Sequence, residues 1–260
     1  MSELVLYQVQ QKTAILTLNR ADKRNALSRA LIEAISSAFE RAKNDAAVRC
    51  VILNAAGPVF CAGMDLAELQ ASLDVPKDQS PIWDDAFRLA SLYDQIYALS
   101  KPTIAAVQGA AVAGGAGLVT VCDLAVSVPE AKFGYPEVRR GLVAAMVMPH
   151  LMRHVGERAA RYLLLTGELI DAAAAERCGL INEVVHPDRL LERAQALAKA
   201  CIEGGPNALT KTKEYLHQYS HQAVPMEEAA KASAAPRLTA ECQEGLSAFF
   251  AKQPPPWMKE

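Results

Sequence analysis

The run Ala105-Ala106-Val107-Gln108-Gly109-Ala110-Ala111-Val112-Ala113-Gly114-Gly115-Ala116-Gly117 constrains this chain more than any other stretch. It carries no charge and almost no side-chain bulk, so other backbone or a ligand can approach it closely. A strand is predicted to enter it over Thr103–Val107 and a helix to leave it over residues 115–122. A helix that opens on glycine presents free N–H groups and a partial positive charge. Such a turn suits an anion, or an oxygen that becomes anionic during a reaction. Two other uses of the run are set aside. Residues 103–122 are charge-free over about the length of a membrane span, but glycine and alanine dominate them, Gln108 lies inside, and no second such run follows. A phosphate loop needs Lys followed by Ser or Thr, or the spaced dinucleotide glycines; Leu118, Val119 and Thr120 follow Gly117 instead.

With 260 residues, 51% apolar and 22% charged, the chain has enough apolar material for one well-packed domain, with or without an appendage. A net charge of -2 offers no electrostatic case for a nucleic acid or an anionic membrane as partner. The six cysteines are irregularly spaced and form no CxxC pair, which speaks against a zinc ribbon or a disulfide framework. Met1-Ser2-Glu3-Leu4 lacks a basic region ahead of an apolar one. A reducing compartment, the cytoplasm, is therefore expected, with no secretory signal.

Residues 4–9 and 13–19 alternate apolar and polar and are predicted as two strands. Ser28 is expected to cap an amphipathic helix with Leu31, Ile32, Ile35, Ala38 and Phe39 on one face. Strands follow at 49–54 and 123–128, helices at 83–99, 148–155, 157–165 and 172–178, and a last short strand at 181–185. Beyond His186-Pro187 the chain reads helical to Phe250. A strand, a glycine turn and a helix recur at 51–65 and 103–118, which implies an α/β core of stacked units with a helical extension from about Asp188.

The turns near Met64 and Gly114 could aim N–H groups at one oxygen, or could only let helices pack tightly on strands; both readings stand at this point. Asp65 could cap the helix that follows it. Glu137, behind Tyr135-Pro136 and beside Phe133 and Val138, could be an acid/base whose apolar setting raises its pKa. On residues alone an ion pair with Arg139 or Arg140 is the favoured reading. His150 and His154 share a helix face but have no acidic third ligand at metal spacing, so no metal is expected. No Ser or Cys stands in the glycine turn to act as a nucleophile.

As a set, Phe60-Cys61-Ala62-Gly63-Met64-Asp65-Leu66, Ile104-Ala105-Ala106-Val107-Gln108-Gly109 with Gly114-Gly115, Cys122-Asp123-Leu124, Ala131-Lys132-Phe133-Gly134-Tyr135-Pro136-Glu137 and Leu165-Thr166-Gly167-Glu168 resemble the enoyl-CoA hydratase/isomerase (crotonase) family over nearly the whole chain. The resemblance implies an α/β fold: a crotonase-like spiral of ββα units over residues 1–190, then a C-terminal helical segment, 191–260, that assembles homotrimers, often paired into hexamers. It implies an acyl-CoA thioester as substrate, with no further cofactor. The two oxyanion donors would be the N–H groups of Met64 and Gly114. The CoA site would be formed by Arg24, Asn25, Ala26, Ala62, Asp65 and Leu66, with Lys252 reaching a neighbour's CoA.

One departure bears on the chemistry. Hydratases of the family usually carry two glutamates; the second matches Glu137, but the first would fall on Gly117. The resemblance therefore implies a single glutamate acid/base acting on an unsaturated acyl-CoA, with hydration slightly favoured. A double-bond-shift isomerase and an aromatic acyl-CoA hydratase-lyase are the alternatives, and a catalytically weak acyl-CoA binder is the other class. Position 117, residues 72–81, Trp83 and residues 142–147 are expected to shape the acyl pocket.

Overall fold

The computed structural model describes residues 3–73, 80–220 and 239–258. The strands β1 (Val5–Gln10), β2 (Thr13–Leu18), β3 (Cys50–Ala55), β5 (Thr103–Val107), β7 (Leu124–Ser127) and β10 (Glu183–Val184) form one sheet in that spatial order. Only the β1–β2 pair is antiparallel. Parallel strands covered on both faces must be apolar throughout. Every residue of β5 is accordingly buried, as are the first four of β2 and of β3.

A second, smaller sheet is built from β4 (Val59–Cys61), β6 (Ala110–Val112), β8 (Lys132–Gly134) and β9 (Ile170–Asp171), in that order. These strands are two or three residues long and escape a periodicity search, which needs several alternations. They complete the repeat. A strand of the large sheet leads to a strand of the small sheet and then to a helical turn: β3, β4, then α2 (Leu66–Leu73); β5, β6, then α4 (Gly114–Thr120); β7, β8, then a 3-10 helix over Pro136–Arg140. These are the ββα units that the family resemblance implied.

Helices cover the sheets for reasons legible in their residues. In α1 (Arg29–Asn44) the Ser28 hydroxyl accepts from the Leu31 N–H at 3.2 Å, and Leu31, Ile32, Ile35, Phe39 and Ala42 face inward. α3 (Ser80–Tyr97) packs on α1 and buries Leu89, Leu92, Tyr93 and Ile96. All of α4 is buried, which explains its lack of charge without any membrane. No described helix is long and apolar enough to cross one. α5 (Met148–Thr166) breaks at Gly156, where φ is 70° and ψ 169°, at the predicted division between two helices. α6 (Ala172–Arg177) precedes β10. α7 (Leu190–Glu203) lies on β3, β5 and β7 through Leu190, Ala194, Ala198 and Ile202, so the helical run starting at 190–191 begins as a cover of the sheet. α8 (Pro206–Tyr219) and α9 (Ala240–Phe250) follow.

Candidate active site

β4, β6 and β8 are parallel neighbours, with Val112 opposite Gly134 and Cys61 opposite Ala111. Their C-terminal ends therefore lie side by side, the position where parallel strands present their ligands. Met64 follows β4, Gly114 follows β6 and Glu137 follows β8. All three line one cavity of about 340 Å³.

The chain sets the direction of each group. Leu27 donates its N–H to the Gly63 carbonyl at 2.8 Å and accepts the Asp65 N–H at 3.1 Å. This short parallel pairing turns the amide of the residue between, Met64, away from Leu27. Gly63 has φ +89°, a conformation that favours glycine, and a Cβ there would stand 3.0 Å from the Val112 carbonyl oxygen and 3.3 Å from the Gly114 nitrogen. The two turns are thus in contact. Gly114 is the first residue of α4, where an N–H has no partner inside the helix. Among the described residues, neither the Met64 nor the Gly114 N–H has an acceptor.

Glu137 sits in the first turn of the 3-10 helix, behind Pro136. Its Oε2 is buried and has no hydrogen-bond partner. It forms no ion pair with its neighbours, contrary to the reading favoured on residues alone. Arg139 instead donates to the Thr166 carbonyl at 3.1 Å, and Arg140 lines the cavity. Burial pushes the Glu137 carboxyl above its usual value; its own backbone N–H and Arg140 oppose this more weakly.

Most of the rest of the cavity wall is apolar. Ala62 and Leu66 line the cavity, as do Leu142, Val143, Ala144, Met146 and Val147 of the expected 142–147 segment. Gly117 does not line it. A Cβ at 117 would stand 2.3 Å from the Tyr93 hydroxyl, so Tyr93 covers that position and lines the cavity in its place. Trp83 is 58% exposed on α3 and is not among the lining residues. Residues 74–79 of the expected 72–81 segment lie outside the described residues, as do the side chains at 72, 73, 80 and 81.

The other residues named from the resemblance divide. Asn25 is fully buried: its side chain accepts from the Arg20 N–H at 2.9 Å and donates to the carbonyls of Ala56 and Val59 at 2.9 and 2.8 Å. Its side chain builds the loop and does not line the cavity. The Asp65 carboxylate pairs with Arg20 at 2.7 Å and caps α2 through the Ala67 N–H at 3.0 Å. Arg20 holds it below the usual carboxylate range. Arg24 is exposed, with φ 52°, and its carbonyl accepts the Ala62 N–H at 3.1 Å, which joins the Arg24–Ala26 loop to the cavity rim. Lys252 is exposed on the turn after α9, with no contact to the cavity within one chain.

Residues missed from sequence are those supplied by α3. Asp85 lines the cavity but is gripped by Arg29 at 2.6 and 2.7 Å. Tyr93 donates its hydroxyl to the Gly114 carbonyl at 2.7 Å. Both lie on the buried face of α3, and that facing was the one available signal. His154 is structural: its Nε2 lies 2.9 Å from the Thr120 carbonyl oxygen. Among the described residues no group of three or more His, Cys, Asp or Glu could hold a metal.

The family model for enoyl-CoA hydratase/isomerase matches residues 8–260. The chain is 41% identical over 246 residues to a Thermus thermophilus protein provisionally named an enoyl-CoA hydratase, covering 93% of this chain and 96% of that one. It is 34% identical over 258 residues, 98% of each chain, to the 2,3-dehydroadipyl-CoA hydratase of Escherichia coli. The crystal structure of a Mycobacterium smegmatis enoyl-CoA hydratase superposes with a TM-score of 0.91 at 32% identity, over 99% of this chain and 100% of that one. A match across almost every residue, with the same fold, has one meaning: this chain belongs to the enoyl-CoA hydratase/isomerase family.

Proposed function

We propose that the cavity takes a coenzyme A thioester of an unsaturated acid and adds water across its double bond. The carrying observation is that two unpartnered amides and one carboxylate with a buried, unpartnered oxygen follow three adjacent parallel strand ends into one cavity. In this reading the thioester oxygen lies between the N–H groups of Met64 and Gly114. As water attacks the β-carbon, the double-bond electrons move onto that oxygen, giving an enolate. Donors already aimed at the developing charge stabilise it, each worth about 3 kcal/mol of barrier. Glu137 takes the proton of the attacking water and returns it to the α-carbon as the enolate collapses. A carboxyl raised by burial suits both steps near neutral pH. Leu66, Ala62 and the Arg24–Ala26 loop would hold the CoA moiety at the rim.

One observation favours a second reading. Asp85, the other carboxylate lining the cavity, is committed to Arg29, so Glu137 acts alone. A single base can also carry a proton along the acyl chain and shift the double bond. The segment 191–260 would assemble trimers; Leu216, 63% exposed on α8, supports this, and the molar mass in solution tests it.

The test is turnover of a panel of short, branched and aromatic enoyl-CoA thioesters, with product analysis separating water addition from double-bond migration. Glu137→Gln should abolish turnover while CoA-thioester binding survives. Binding without any turnover by the unaltered protein would assign the chain to the acyl-CoA binders. Unchanged turnover in the variant would remove Glu137 from the mechanism.

A further inference from the structure

Water that adds to a double bond needs more than a base. It has two O–H groups, and a single carboxylate directs only one of them. Besides Glu137, three polar side chains line the cavity: Asp85, Arg140 and Tyr93. Asp85 is spent on Arg29, and a guanidinium only donates. Tyr93 differs. Its hydroxyl gives its proton to the Gly114 carbonyl at 2.7 Å, so the remaining lone pairs can only accept. Tyr93 is 2% exposed and its hydroxyl is tied to the Gly114 carbonyl, which fixes the oxygen in place. The room it occupies exists because residue 117 has no side chain: a Cβ there would stand 2.3 Å from the hydroxyl oxygen and 2.6 Å from Cζ. Burial, the largest influence, keeps the phenol protonated, with the nearby Glu137 charge acting in the same direction.

We propose that Tyr93 positions the water for the hydration assigned above to Glu137, an inference that rests on that assignment. One O–H of the water points at the Glu137 carboxylate and the other at the Tyr93 oxygen. When the C–O bond forms at the β-carbon, the proton facing Glu137 moves to the carboxylate and later to the α-carbon. The O–H facing Tyr93 stays intact and becomes the product hydroxyl. Tyr93 exchanges no proton, so it is a positioning residue whose partner is Gly117.

Tyr93→Phe keeps the ring and removes the acceptor. Two reactions of the full chain separate its role from that of Glu137: hydration of crotonyl-CoA, and deuterium exchange at the α-carbon of butyryl-CoA in heavy water, which needs no attacking water. The variant should lose hydration kcat by roughly tenfold to a hundredfold, the effect of one hydrogen bond. KM and α-exchange should stay near those of the unaltered protein, and the unfolding midpoint should fall modestly because the Gly114 carbonyl loses a donor. Gly117→Ala, which must displace the hydroxyl, should separate hydration from exchange in the same way, with a lower unfolding midpoint from overpacking. Hydration near the original rate in Tyr93→Phe overturns the proposal. So does a joint loss of hydration and exchange, which would mean that the hydroxyl acts only through Gly114. A parent protein that shifts double bonds without adding water overturns it too. Glu137→Gln should lose both reactions; retained exchange there would refute the Glu137 assignment itself.

Discussion

Gly63 and Ala113 meet across the seam between the turns after β4 and β6: a Cβ on Gly63 would stand 2.9 Å from that of Ala113. Both sit at positive φ, 89° and 52°. For alanine that conformation is strained by about 1–3 kcal/mol and persists only where the surroundings enforce it. They do: the Ala113 N–H is held by the Gly134 carbonyl at 2.9 Å and its carbonyl by the Gly117 N–H at 3.1 Å. The residues that follow this seam are Met64 and Gly114, so the strain is spent where the two free amides emerge.

Gly63→Ala should therefore open the seam. Stability should fall by about 1–3 kcal/mol in urea unfolding, from the disallowed φ and the overpacking. In the fraction that remains folded, kcat should fall further than KM rises, because an oxyanion donor is misaimed.

Glu137→Gln should stabilise the folded chain, with a pH dependence of definite sign. The Glu137 carboxyl is raised by burial, so the folded state holds its proton more tightly than the unfolded chain. Above the ordinary carboxyl pKa the unfolded chain releases that proton first, and the original protein loses stability as pH rises to the folded value. Glutamine has nothing to ionise. Thermal unfolding should show equal midpoints at acidic pH and a higher midpoint for the variant near neutrality.

Asn25→Ala should cost about 2–4 kcal/mol, because the side chain satisfies three backbone groups that become orphaned in the interior. KM for the CoA thioester should rise as the Arg24–Ala26 loop loosens. Denaturant unfolding and steady-state kinetics read the two effects.

Asp65→Ala removes an ion pair with Arg20 and the cap of α2, and should lower stability by about 1–2 kcal/mol. The carboxylate does not line the cavity, so kcat should change little. A large fall in kcat would show that it reaches the reacting atoms.

The sequence exposed what depends on local order. The glycine turns, the Ser28 cap and the Gly156 break each rest on a few adjacent residues. The strands β4, β6 and β9 stayed hidden because two or three residues form no period, and β8 reads as either a loop or a short strand, yet these strands bring the site residues together. Tyr93 and Asp85 stayed hidden for another reason. They reach the cavity from α3, and only packing against α1 shows which face of that helix turns inward. For Asn25, matching a motif finds the loop but not that its side chain is engaged by the carbonyls of Ala56 and Val59.

The central claim is that one thioester oxygen accepts from both Met64 and Gly114. Infrared difference spectroscopy of a carbonyl-labelled enoyl-CoA bound to Glu137→Gln, where turnover is expected to stop, reads that contact directly. Two donors on that oxygen should shift the carbonyl band below that of the same thioester free in water. A band at or above the free value would contradict it.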